Sequence, residues 1–193
     1  MIRVFLLGVL GLVALALVAR NLPEYPGPGQ TGEAAGPVAA DDTAPFARWA
    51  GVWEGVFVSR RPDGTPVETT RVRQEYIDLN PLEQSVVITD RHASGVTIVS
   101  NGTNRSVPGG LECRVTDPNG VSRVLEGRKE GTAIFWHRRD LSAGIEESFR
   151  EEILRTPTGD LYTIDGVGFY GGGAARTVLL FEGRYRRADT PRQ

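Results

Sequence analysis

The chain has 193 residues, a formal net charge of −2 and a pI near 5.8. This length holds one domain of ordinary size and an extension. The near-neutral charge excludes the strong basic field that nucleic-acid binding requires. The single cysteine, Cys113, excludes an internal disulfide and a cysteine-rich metal site. With only two histidines besides, the sequence predicts no metal site.

Residues 1–20 carry the pattern of an export signal. Arg3 precedes an unbroken run of apolar or glycine residues over 4–19, and Arg20 ends it. A positive charge followed by an apolar core is typical of a secretory signal, and the run is close to the ~20 residues that span a bilayer. A cleaved signal peptide and an uncleaved single-pass anchor both stay open. Either predicts the bacterial cell envelope: a periplasmic domain anchored in the inner membrane, or one secreted after cleavage.

Residues 21–45 are rich in proline, glycine and alanine. Such a segment buries too little apolar surface to offset its ordering entropy. It predicts a disordered linker between an N-terminal hydrophobic helix and a folded domain. We expect that domain to occupy residues 46–189, with a tail over 190–193.

The folded domain alternates short apolar–polar stretches with turn signals such as RPDGTP, DPNG and TPTGD. Turn signals at intervals of roughly 8–12 residues predict an all-β fold. We expect an antiparallel up-and-down barrel of about 8–10 strands, with a sandwich as the alternative, because closure removes exposed sheet edges. The predicted strands are 51–61, 67–77, 84–92, 95–100, 111–116, 121–128, 132–140, 144–155, 161–169 and 176–187.

The two ends of this domain carry a recognisable combination. The stretch FARWAGVWEGVF places Gly51 two residues before Trp53 at the start of the first strand, and the last strand, ARTVLLFEGRYRRA, is rich in arginine. The combination resembles the calycin superfamily, whose lipocalins share a G-x-W motif. In lipocalins the tryptophan packs beneath an arginine of the last strand. The resemblance makes Arg184, Arg186 and Arg187 candidates for that partner. We assign Gly51, Trp53, Arg184 and Arg186 to the barrel floor.

The strand count, nearer ten than eight, resembles the fatty-acid-binding and nitrobindin-like branches instead. Fatty-acid-binding proteins hold a carboxylate with an Arg-x-Tyr pair on the last strand, whereas Arg184 and Tyr185 are adjacent here and face opposite ways. Nitrobindin-like haem sites use a histidine of a late strand, and His137 comes too early for that role. We therefore expect no cofactor.

A calycin-like barrel implies a small apolar ligand in the lumen, near the barrel mouth. The candidate ligand-binding residues are aromatic residues of the later strands. Phe135, Trp136, Phe149 and Tyr162 are expected to line the lumen, and Phe169 and Tyr170 to gate the pocket or contact a partner at the barrel mouth. A lumen filled by its own side chains is the alternative.

Polar residues offer weaker candidates for catalysis. His92 lies beside Asp90 and Arg91, and His137 lies mid-strand, but neither has a nucleophile or metal ligand at a suitable spacing. The stretch GIEESFREEILR is compatible with a helix or a strand. As a strand it places Glu147 and Glu151 between Ile145, Phe149 and Ile153 on one face, and we expect the glutamates to pair with arginines of neighbouring strands. No residue is predicted to be catalytic.

These observations predict an exported, membrane-tethered, non-enzymatic β-barrel that binds a small apolar ligand or a protein partner, and no nucleic acid. The alternative is an accessory subunit of an envelope membrane-protein complex, anchored by the N-terminal helix. Small residues spaced by three, Gly8, Gly11 and Ala14, permit close helix approach in lipid and suit such a contact.

Overall fold

Alternating buried and exposed side chains mark ten strands in the computed structural model, which describes residues 43–171 and 176–188. The strands are β1 (Gly51–Arg60), β2 (Pro66–Asn80), β3 (Glu83–His92), β4 (Thr97–Val107), β5 (Gly110–Thr116), β6 (Ser122–Glu130), β7 (Ala133–Asp140), β8 (Ile145–Thr156), β9 (Gly159–Tyr170) and β10 (Thr177–Arg187). The predicted N-terminal helix over 1–20, nearly all of the linker over 21–45 and the tail over 190–193 lie outside the described residues.

Each strand pairs antiparallel with its neighbours in the chain, and β1 pairs with β10 to close the barrel. In this closing register Trp53 lies opposite Arg187, and Arg60 lies opposite Leu180. Closure gives every strand two partners, which removes the exposed edges of an open sheet. The prediction of an all-β antiparallel barrel is confirmed, with ten strands, and the alternative of a sandwich was wrong.

The greatest difference between predicted and observed strands is in β4. The prediction ended this strand at residue 100, whereas the observed strand continues to Val107. The extra stretch contains Asn101, Gly102 and Asn104, residue types that signal turns. It is extended here because it pairs with β3 on one side and β5 on the other.

The connections between strands define two ends of the barrel. We call one the floor end: it carries residues 43–50 and the turns at 80–83, 107–110, 130–133 and 156–159. The other is the mouth end, with the turns at 60–66, 92–97, 116–122 and 140–145; β9 ends and β10 begins at this end. The largest fully buried side chains include Trp53, Tyr162 and Tyr185, and they lie toward the floor end.

The segment before β1 closes the floor end. Phe46 and Trp49 are each only 2% exposed. Gln84 Nε2 donates to the Phe46 carbonyl at 3.2 Å, and the Trp53 indole donates to the Trp49 carbonyl at 2.7 Å. These contacts fix the segment before β1 at the floor, and the space above it is lined by strand residues. The described part of the chain contains no helix long and apolar enough to cross a membrane.

Candidate ligand-binding cavity

A cavity of about 180 Å³ occupies the barrel above its floor. All ten strands contribute to its wall, because in a closed barrel every second residue of each strand points inward. The apolar lining residues are Phe57, Val72, Tyr76, Val86, Ile88, Cys113, Val115, Leu125, Trp136, Phe149, Ile164 and Tyr185. The polar lining residues are Thr70, Gln74, Asp90, Ser100, Asn104, Arg123, Arg138, Glu147 and Glu151. The lumen is therefore not filled by its own side chains.

An aromatic cluster lies at the floor end of the barrel, and two of its members, Tyr76 and Tyr185, line the cavity. Tyr162 lies at the centre of the cluster, with ring-centroid distances of 5.6 Å to Trp53, 5.2 Å to Tyr185 and 6.4 Å to Tyr76. The hydroxyl oxygens of Tyr76 and Tyr162 are 3.3 Å apart, and Tyr76 donates to the Gln74 side chain at 2.7 Å. Burial raises the pKa of both tyrosines, which stay neutral in the physiological pH range.

The arginine at the barrel floor is Arg187. Its guanidinium carbon lies 4.3 Å from the Trp53 ring centroid, and its nitrogens donate to the carbonyls of Ala50 at 2.7 Å and Arg48 at 3.1 Å. Our assignment of Arg184 and Arg186 to this position is corrected here. Both are on the outer face, because side chains alternate along β10 and Tyr185, which lies between them, is buried.

The glycine of the G-x-W motif is needed for the same contact. Gly51 has a φ of +112°, a conformation that residues with a Cβ rarely adopt. A Cβ at this position would also lie 2.8 Å from a terminal nitrogen of Arg187. Gly51 thereby lets the guanidinium reach both the indole face and the carbonyls before β1.

A carboxyl group, that of Glu151, faces the inner part of the cavity. The residue is partly accessible through the cavity that it lines, although the side chain lies deep in the barrel. Burial raises the pKa of Glu151 from 4.5 to about 7, and hydrogen bonds from Trp136 and Tyr162 oppose the rise. Near neutral pH this carboxyl group therefore exchanges between its protonated and ionised forms.

A second polar group lies nearer the mouth end. Glu147 is 4% exposed; its carboxylate accepts a hydrogen bond from Arg138 at 3.1 Å and one from the Tyr170 hydroxyl at 2.7 Å. Asp90, 5% exposed, lines the cavity too, and burial raises its pKa from 3.8 to about 6 against the opposing effects of His92 and Arg123. The cavity thus has charged residues toward its mouth and an aromatic floor.

The structure brings two of the six proposed ligand-binding residues into the cavity wall, Trp136 and Phe149. Trp136 fits because its partner across β6 and β7 is Gly127, where a Cβ would lie 2.3 Å from the indole ring. Tyr162 is fully buried in the aromatic floor and does not line the cavity. Tyr170 lies at the mouth end, where it holds Glu147.

Phe135 and Phe169 lie on the outer face of the barrel. Each has an arginine over its ring: Arg128 at 5.2 Å from the Phe135 centroid, and Arg176 at 4.4 Å from the Phe169 centroid. Both phenylalanines alternate with inward neighbours, Trp136 and Tyr170, so they face away from the lumen. On the barrel surface these two rings contact arginine side chains.

Sequence reasoning missed the polar lining, above all Glu151 and Asp90. A signal for Glu151 was present, because the strand interpretation puts it on the same face as Phe149 and Ile153. That face is the inner one. We expected the glutamates of β8 to pair with arginines of neighbouring strands, and Glu147 does pair with Arg138 across the β7–β8 ladder, but inside the barrel.

The two histidines lie apart from the cavity wall. His137 is exposed, with Nδ1 3.1 Å from the Ser148 hydroxyl, and His92 Nδ1 lies 2.6 Å from the Glu68 carboxylate. Cys113 lines the cavity, and burial raises the pKa of its thiol. Among residues 43–171 and 176–188, no three His, Cys, Asp or Glu side chains are grouped so as to hold a metal ion.

Comparison with known proteins finds a similarity in fold. No protein-family model matches this chain, and no curated protein matches it. The crystal structure of Rv2717c from M. tuberculosis superposes with a TM-score of 0.51 at 15% identity, over 75% of this chain and 98% of that one. EF1p2_mFAP2b, solved bound to DFHBI, gives a TM-score of 0.42 at 17% identity, over 76% and 98% of the two chains. The chain is thus a ten-stranded antiparallel closed β-barrel, similar in fold to Rv2717c.

Proposed function

We propose that this barrel binds a small, predominantly apolar molecule in its lumen, and that binding, not catalysis, is its activity. The observation that carries the proposal is the cavity of about 180 Å³, whose wall is made mainly of aromatic and aliphatic side chains. An apolar cavity of roughly 150 Å³ is enough to hold a benzene-sized molecule. A ligand with a single substituted ring suits this volume.

The arrangement of the polar residues supports a binding role. Glu147 is held by Arg138 and Tyr170, which fixes it as part of the wall. His137, the histidine of the later strands, is exposed and does not line the lumen. A few polar groups placed in a largely apolar pocket orient a ligand and select among ligands.

We further propose that the barrel works in the cell envelope, tethered by residues 1–20 or released after their cleavage. The support is the sequence pattern of Arg3 followed by the apolar run over 4–19. Fractionation of cells, followed by the intact mass of the envelope-associated protein, tests this proposal. A mass that corresponds to a chain beginning at Met1 indicates an anchor. A mass that corresponds to a chain beginning near Arg20 indicates a cleaved signal peptide. Recovery in the cytosolic fraction would contradict export.

The binding proposal is tested with benzyl alcohol as a neutral one-ring probe and isothermal titration calorimetry as the readout. Val115→Phe fills the cavity from its wall, and we expect it to weaken binding at least about tenfold, the effect of ~1.4 kcal/mol. Val99→Phe is the matched control, because Val99 is also a strand valine but is 43% exposed on the outside. Equal affinities in the two variants would contradict a lumenal site.

A further inference from the structure

The inner part of the cavity combines a carboxyl group with aromatic faces. Glu151 lines it together with Tyr76, Trp136, Phe149 and Tyr185. A carboxylate and electron-rich ring faces both attract a cation, the first through its charge and the second through the ring quadrupole. Such a combination differs from the arginine-based sites that hold fatty acids or phosphates.

The polar side chains that lower the pKa of Glu151 by hydrogen bonding are those of Trp136 and Tyr162, and both are neutral. On the neighbouring strands Glu151 lies opposite Ile134 of β7 and Ile164 of β9, so the adjacent ladder positions are apolar. An ionised Glu151 is therefore surrounded by neutral groups at its hydrogen-bonding and ladder positions.

The two arginines that line the cavity lie toward the mouth end. Arg138, late in β7, pairs with Glu147. Arg123, at the beginning of β6, lowers the pKa of Asp90, which is near the mouth end of β3. Arg138 is thus paired within the outer part of the cavity wall, and Arg123 acts on Asp90 there and also on the Cys113 thiol, whereas Glu151 is associated with the inner part.

The other titratable groups that face Glu151 stay neutral. They are Tyr76 from β2, Cys113 from β5, Tyr162 from β9 and Tyr185 from β10, and burial raises the pKa of each. A cation in the inner part of the cavity consequently meets a carboxylate and aromatic faces. An anion placed there would face the Glu151 carboxylate directly.

We propose that the ligand is a small organic cation, an amine or amidine on an apolar one-ring body, whose nitrogen binds Glu151 and whose body packs on Trp136 and Phe149. This inference rests on the proposed lumenal binding and specifies its ligand class. The cationic nitrogen donates to Glu151 and supplies a positive charge beside the carboxylate.

The test compares three probes of one size and different charge: benzylamine, benzyl alcohol and benzoate. At pH 8 we expect benzylamine to bind the unmodified protein at least about tenfold more tightly than benzyl alcohol, which is the effect of a charge-assisted hydrogen bond worth ~1.4 kcal/mol. Benzoate is expected to bind more weakly than either. Glu151→Gln keeps the size of the side chain and one acceptor oxygen and removes the charge, and we expect it to abolish the preference for benzylamine.

Glu146→Gln is the control, because it is the same substitution on the same strand and Glu146 is on the outer face, paired with Arg176. It should leave all three affinities unchanged. Equal binding of benzylamine and benzyl alcohol, a preference for benzoate, or a preference for benzylamine that survives Glu151→Gln would overturn the cation assignment and leave lumenal binding standing. Failure of all three probes to bind would instead remove the proposed function together with the inference.

Discussion

The guanidinium carbon of Arg187 lies 4.3 Å from the ring centroid of Trp53, at the junction of the first and last strands. The same guanidinium donates to the Ala50 and Arg48 carbonyls, which precede β1. One side chain thus joins the end of β10, the beginning of β1 and the segment that closes the floor. These contacts converge at a point where the barrel must be sealed.

Arg187→Ala is expected to lower the free energy of unfolding by about 1–2 kcal/mol, through loss of the cation–π contact and two hydrogen bonds. Urea unfolding followed by tryptophan fluorescence measures the change. Arg186→Ala is the control, because Arg186 is on the outer face, where it donates to Thr158 at 3.1 Å. We expect that control to stay within about 0.5 kcal/mol of the unmodified protein. Equal losses in both variants would show that the Trp53 contact has no special role.

Gly51→Ala is expected to cost about 1–3 kcal/mol, because alanine is strained at a φ of +112° and its Cβ displaces the Arg187 guanidinium. Gly64→Ala is the matched control. Gly64 also has a positive φ, of +86°, but a Cβ added there would meet nothing within 4 Å. Combined with Arg187→Ala, the Gly51 substitution should be non-additive and the Gly64 substitution additive. Additive losses in both double variants would show that Gly51→Ala does not act through the contact of Arg187.

The stability of the barrel is expected to fall as the pH rises from about 5 to 7.5. Burial raises the pKa of Glu151 to about 7 and that of Asp90 to about 6, above their ordinary values of 4.5 and 3.8. In this window the folded state holds more protons than the unfolded state. The protonated forms of Glu151 and Asp90 therefore contribute their full stabilisation below the pKa values of the unfolded chain. This stabilisation is lost as the pH rises through the pKa values of the folded protein. For Glu151 the loss is on the order of 3 kcal/mol.

Urea unfolding at a series of pH values from 5 to 8 measures this slope, and Glu151→Gln should make it shallower. The carboxyls whose pKa is lowered, Asp63, Asp140, Glu112 and Glu152, titrate below this window and do not obscure the result. Glu146→Gln should retain the slope of the unmodified protein. A slope that Glu151→Gln leaves unchanged would show that Glu151 does not carry this proton.

Arg138→Gln is expected to destabilise the barrel by about 3 kcal/mol, because it removes the cation that pairs with the buried Glu147 carboxylate and leaves the Tyr170 hydroxyl as its donor. Arg73→Gln is the control. It breaks an ion pair with Glu54 whose side chains are 39% and 55% exposed, and such a pair contributes less than about 1 kcal/mol. Thermal and urea unfolding compare the two variants. Similar losses would mean that Glu147 is better solvated than its burial indicates.

Much of the fold was predictable because strand formation in this chain follows a local rule. Side chains alternate between inward and outward positions, and turn residues stand at the ends of the strands, so all ten strands were located from the sequence. β4 was cut short at residue 100, because the polar stretch that continues it to Val107 extends only through pairing with β3 and β5. The residues that pair with this stretch are distant in sequence, so a pattern read from neighbouring residues does not include them.

The cavity was less predictable than the fold. Six aromatic residues of the later strands were candidates for ligand binding, and only Trp136 and Phe149 of the six line the cavity. Phe135 was one of the candidates although it alternates with Trp136, and only one of two adjacent strand residues faces the lumen. Glu151 was assigned to a charge ladder, because the neighbouring strands are rich in arginine, whereas its side chain lines the cavity.

The sequence by itself determined that the chain forms antiparallel strands and that Trp53 lies near the start of the first of them, because alternation and turn chemistry are properties of neighbouring residues. Only the tertiary structure decided that Arg187, and neither Arg184 nor Arg186, covers that tryptophan. It alone decided that the space above the floor stays open and that Glu151 faces it. These outcomes depend on the register in which β10 meets β1 and on which strands surround each inward side chain, and closure of the barrel sets both.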